Sequence, residues 1–149
     1  MILQIFCSEI SLQRLRNSRE VLMDGTFEIA PKIAKQLYSL HGFFFEECFP
    51  LGYALLQDKS EDTYRRLFRR LKETAAEHHL TCAPAVILID FEVAVMNAVT
   101  AEFPSCNVKG CLFHFSQCTW RKVTEIQCIN VFSYRCRYNT VIIECIPAP

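Results

Sequence analysis

VLMDGTF, residues 21–27, is the stretch on which the reading of the fold turns. Three apolar residues, Val21-Leu22-Met23, run straight into the carboxylate of Asp24. Such a run reads as a central strand, apolar on both faces. An acid at its end either caps a turn, as Asp before Gly commonly does, or is held there for chemistry. A second run, Ala85-Val86-Ile87-Leu88-Ile89, ends the same way on Asp90. Its continuous β-branched character is that of a parallel strand covered on both sides. Asp ahead of a helix is also a routine N-cap, so each acid taken singly has an ordinary structural explanation.

Outward from these runs, the chain alternates elements. Ile29-Ala30-Pro31 leaves the first strand, since proline cannot continue a ladder in mid-sheet. QLYSLHGFFFEECFPLGYALL, residues 36–56, is rich in aromatic and aliphatic residues and is broken at Glu46-Glu47, which predicts two strands joined by a short turn. SEDTYRRLFRRLKETAAEHH follows, with Ser60 as N-cap and acids in the first turn. Tyr64, Leu67, Phe68, Leu71 and Ala75 form its apolar stripe. Arg65, Arg66, Arg69 and Arg70 flank that stripe, either as a solvated face or as a patch for tracking phosphates. Phe91 to Phe103 predicts another helix, marked by Phe91, Ala94, Val95 and Ala98 and closed by Pro104. Asn107–Cys111 predicts a short strand and Phe113–Val123 a last helix. Residues 1–19 show no clear period and read as a leader, and residues 124–149 as a tail of uncertain structure.

Composition narrows the class. The chain has 149 residues, 51% hydrophobic and 21% charged, which fits one folded domain and makes intrinsic disorder a poor reading. Net formal charge is zero, so the whole-chain field points to no polyanionic partner. Nine cysteines at irregular spacings, with no basic N-terminal start before an apolar stretch, indicate a reducing intracellular compartment and small buried thiols. No apolar run approaches the ~20 residues a membrane helix requires.

Three antiparallel strands, a helix, and then alternating parallel strands and helices is the α/β layout of a ribonuclease H-like mixed sheet flanked by helices. In that topology the first and fourth strands are neighbours, which would bring Asp24 and Asp90 together. Paired carboxylates repel unless a cation neutralises them. A hard divalent ion, Mg²⁺ or Mn²⁺, prefers such oxygen donors. Two ions about 3.5–4 Å apart can activate an attacking oxygen and stabilise a leaving one at a phosphodiester.

The wording of the motifs is also recognisable. DGTFEIAP, QLYSLHGF, PLGYALLQDKSEDTYRRLFRRLK, ILIDFEVAVMNAV and FPSCNVKGCLFHFSQCTWRKV, taken in that order, resemble the catalytic domain of Mutator-like element (MULE) transposases over residues 20–123. The resemblance implies metal-dependent DNA strand cleavage and transfer in a ribonuclease H-like fold, with Asp24 and Asp90 as catalytic, metal-binding acids. It likewise implies DNA as partner and a nuclear location; Arg65, Arg66, Arg69 and Arg70 are the candidate DNA contacts on the helix pattern alone. Cys111 and His114 match the family's CxxH element. They are either half of a zinc site, with no second pair at suitable spacing, or a packed thiol and a hydrogen-bonding imidazole at the site rim, the reading preferred.

The family's third acid, usually a glutamate on a helix beyond a long insertion, has no counterpart in context. Glu125 and Glu144 are the only acids after Val123. The chain therefore resembles a C-terminally truncated core fragment, a domesticated or decayed copy with weak or no catalysis. The alternative is a non-catalytic DNA- or protein-binding module of the same origin. A partner or further domain is expected to cover the exposed flank of the sheet.

Overall fold

The computed structural model describes residues 2–44, 47–125, 132–137 and 140–145. Its elements fall into two compact units, residues 1–111 and 112–149. The first begins with β1 (Ile2–Phe6) and α1 (Glu9–Asn17), formed by the stretch without a readable period. Ser8 caps α1 by accepting a hydrogen bond from the Ser11 amide at 3.1 Å. Leu12 and Leu15 are the helix's buried anchors.

The three expected meander strands follow as β2 (Glu20–Thr26), β3 (Gln36–Phe44) and β4 (Glu47–Leu56). Glu46, in the expected turn, lies outside the described residues. β2 pairs antiparallel with β3, β3 with β4, and β4 with β1. Then come α2 (Glu61–Glu77), β5 (Val86–Ile89), α3 (Val93–Glu102) and β6 (Asn107–Gly110). β5 pairs parallel with both β2 and β6, so the six-stranded mixed sheet runs β1-β4-β3-β2-β5-β6.

Alternation along the strands sorts their side chains. Val21, Met23, Tyr38, Leu40, Ala54, Leu56, Ile87 and Ile89 join one apolar core with Leu12 and Leu15 of α1, the α2 stripe, and Val95, Ala98 and Val99 of α3. Leu22, Asp24 and Leu88, offset by one position, are only half-buried. The expectation of strands covered on both faces thus holds for one face of β2 and β5.

α2 forms as its sequence requires. Ser60 Oγ accepts from the Thr63 amide at 3.3 Å, and every stripe residue from Tyr64 to Ala75 is buried. The helix stops in a Schellman arrangement, with Leu80 N–H bonded to Ala75 O at 2.9 Å and His79 N–H to Ala76 O at 2.9 Å. His79 takes the left-handed position with φ 57°, where glycine is the usual occupant. α3 starts later than its pattern suggests. Phe91 lies ahead of the helix and is exposed, because the Asp90 side chain first ties down the Glu92 amide.

In the second unit α4 (Leu112–Glu125) precedes an antiparallel pair, β7 (Phe132–Arg137) and β8 (Thr140–Cys145). Of the tail, residues 126–131, 138–139 and 146–149 lie outside the described residues, as does the side chain of Glu144.

Candidate active site

β2 and β5 run side by side with Val21 opposite Ile87 and Leu22 opposite Leu88. Two residues further along each chain stand Asp24 and Asp90. Continued two residues past its last pair, the parallel register brings Asp24, inside β2, level with Asp90, the first residue after β5. Both residues are half-buried.

The electrostatic surroundings agree. The Tyr38 phenol is pushed well up, first by burial and then by Tyr64, Asp90, Glu92 and Asp24, so all three acids act on one ring. His41, beside Leu22 across β2 and β3, has its pKa lowered by burial, and Asp24 opposes that shift in part. Asp24 is seated by its strand, with its carbonyl accepting from Ser39 Oγ at 3.2 Å. Asp90 is seated by a turn, its Oδ1 accepting the Glu92 amide at 3.1 Å.

Beneath the acids lies a side-chain chain that the motifs do not announce. Gln36, fully buried, donates from Nε2 to Tyr64 Oη at 2.9 Å. Tyr64 Oη donates in turn to Glu92 Oε1 at 3.1 Å. Glu92 Oε2 receives Lys59 Nζ at 3.0 Å, and that ammonium sits 4.2 Å from the centre of the Phe27 ring. The Tyr64 pKa is raised, chiefly by burial, which keeps its phenol protonated as a donor. Gly25 beside Asp24 leaves room for Gln36 Oε1, which a Cβ at that position would displace. Glu92, two residues after Asp90, was legible as an acid; its partners were not.

The four arginines of α2 are all ion-paired. Arg65 and Arg69 reach Glu102 of α3 at 3.3 and 2.8 Å, where Lys72 joins them at 3.0 Å. Arg66 pairs with Asp62 at 2.8 Å, and Arg70 with Glu73 and Glu77 at 3.3 Å each. The cluster of three cations on Glu102 ties α2 to α3.

Cys111 follows β6, with its amide bonded to Ile89 O at 2.8 Å and its thiol free. His114 belongs to the second unit, its ring edge-on to Phe113 at 5.5 Å. Among the described residues, no group of three or more His, Cys, Asp or Glu side chains is arranged to hold a metal ion. Cys82 is buried, and burial pushes its thiol up to about 11, so it packs rather than reacts. No helix among the described residues is long and apolar enough to cross a membrane.

A family model described as MULE transposase domain matches residues 20–118, the span from β2 into α4. A comparison with curated proteins finds no match.

Proposed function

The chain belongs to the MULE transposase domain family, and from that premise we propose that it is a ribonuclease H-like, transposase-derived domain whose Asp24 and Asp90 share one divalent cation at a DNA phosphodiester. The observation that supports this reading is the parallel β2–β5 register, whose last pair, Leu22 with Leu88, stands two residues before each acid. The strand order β4-β3-β2-β5-β6, with the first meander strand beside the next parallel one, supports the fold assignment.

The donor set fits Mg²⁺ or Mn²⁺, since carboxylate oxygens suit hard ions and Mg²⁺ is usually held by one or two carboxylates plus water and phosphate oxygens. When bound, such an ion would lower the pKa of an attacking water and offset charge on the phosphodiester. The chain's own part is to hold that charge in place: Asp24 from the rigid middle of the sheet, Asp90 from a closed turn. The described residues offer two carboxylates to this site, and both oxygens of Glu92 are engaged elsewhere. Weak catalysis is part of this proposal, and a non-catalytic DNA-binding module is its second reading, supported by the exposed, weakly paired arginines of α2.

DNA, and with it a nuclear location, belongs to the same proposal. Arg66 and Arg70 are the better contacts, because their pairs are surface pairs worth under about 1 kcal/mol and a phosphate can displace the acids. Arg65 and Arg69 are committed to Glu102. Nicking of supercoiled plasmid in Mn²⁺ tests the enzyme reading: slow nicking is expected, lost in both Asp24→Asn and Asp90→Asn. Nicking undiminished in both variants removes the pair from the chemistry. No nicking, with salt-dependent duplex binding weakened by Arg66→Glu plus Arg70→Glu, selects the binding module.

A further inference from the structure

We infer that Tyr64, Glu92 and Lys59 form a clamp whose task is to fix the carboxylate of Asp90, making Glu92 and Tyr64 positioning residues for the site; this rests on the reading of Asp24 and Asp90 as a metal-binding pair. Asp90 stands just past the end of β5, outside the strand that would otherwise hold its backbone. Its Oδ1 is held instead by the Glu92 amide at 3.1 Å. That amide is only as steady as residue 92 itself, which precedes the first turn of α3 and has no side-chain cap of its own.

The clamp supplies the steadiness. Both carboxylate oxygens of Glu92 are taken, Oε1 by the Tyr64 hydroxyl at 3.1 Å and Oε2 by Lys59 Nζ at 3.0 Å. Tyr64 is 1% exposed and packed in the core, so its hydroxyl is a fixed point rather than a passing contact. Gln36, anchored on β3, donates to the same hydroxyl at 2.9 Å and so directs the phenolic proton toward Glu92. Lys59 lies over Phe27, three residues beyond Asp24, and so links the turn after β5 to the end of β2. Charge-assisted bonds of this kind are about twice as strong as neutral ones. The clamp therefore reaches from the N-terminus of α2 to both strands that carry the acids. It also directs both oxygens of Glu92, the acid next to Asp90 in sequence, toward Tyr64 and Lys59.

Two readouts on the whole chain separate this inference from the functional reading. The first is metal-free, the hydrogen-exchange protection of the residue 92 amide by NMR. Tyr64→Phe and Glu92→Ala are expected to lower that protection about tenfold, while Glu92→Gln, whose amide oxygen still accepts from Tyr64, retains most of it. The second is Mn²⁺ affinity, measured by paramagnetic titration. It is expected to fall about tenfold in Tyr64→Phe and Glu92→Ala, as groups that orient a metal ligand typically require, and to recover in Glu92→Gln. Unchanged protection in folded Tyr64→Phe and Glu92→Ala overturns the clamp. Lowered protection with unaltered Mn²⁺ affinity shows that the clamp does not position Asp90, and overturns the inference as well. A wild-type chain that binds no Mn²⁺ sinks the metal reading instead, and the exchange data alone then decide the clamp.

Discussion

Replacing Asp24 by Asn should make the metal-free protein more stable and abolish its stabilisation by Mn²⁺. Two carboxylates separated by about 5 Å, the order of the spacing between neighbouring strands, repel by about 3.3 kcal/mol at an effective dielectric of 20 and by under about 1 kcal/mol in water. Both acids are half-buried, so an intermediate value of about 1–1.5 kcal/mol is expected at low salt, shrinking as salt screens it. For a domain of this size that raises Tm by about 4–6 °C in EDTA. Mn²⁺ at about 100 times its Kd stabilises the wild type by about 2.7 kcal/mol, an upward shift of about 10 °C that Asp24→Asn lacks. Differential scanning calorimetry in EDTA and in MnCl₂ reads both effects. A variant less stable than wild type in EDTA that keeps the full Mn²⁺ shift would refute the shared site.

Other consequences are structural. Glu102→Gln strips the common partner from Lys72, Arg65 and Arg69 and leaves three cations facing each other; with those cations one-third to one-half exposed, the expected loss is about 2 kcal/mol in urea titrations. Burial pushes the Glu102 carboxyl up, but hydrogen bonds from Lys72 and Arg65 outweigh it and hold the pKa below its ordinary 4.5. Its stabilisation is therefore present above about pH 4.5 and lost as pH falls through the lower folded value, so the wild type and Glu102→Gln should converge in stability at acid pH. His79→Gly relieves a left-handed backbone, and a gain of about 0.5–1 kcal/mol is expected in thermal melts. Gly42→Ala drives a methyl into Ser18 Oγ and Leu51 at the α1 contact, and a loss of about 2 kcal/mol is expected in chemical denaturation.

What the sequence discloses depends on whether a residue's role is local. The α2 stripe and its Ser60 cap follow from spacing alone and appear as expected. So do β2 and β5 as strands, although the expected cover holds for one face of each. β1 and α1 escape notice for a physical reason. β1 is an edge strand paired only with β4, and α1 buries just Leu12 and Leu15 along nine residues, too few to imprint a period. At the site, the two acids were legible because each ends an apolar run. The clamp was not, because Tyr64 is at once a core residue and a hydrogen-bond donor, and its stripe position displays only the first role. Glu102, one acid among many in the sequence, is the charge hub joining two helices. Lys59 and Glu92 are far apart in the chain and become partners only once β5 lies against β2.

Anomalous diffraction from crystals soaked in MnCl₂ examines the central claim most directly. A manganese peak within coordinating distance of carboxylate oxygens from both Asp24 and Asp90 is the expected outcome. A peak held by other residues, or those two carboxylates directed to opposite faces of the sheet, would contradict it.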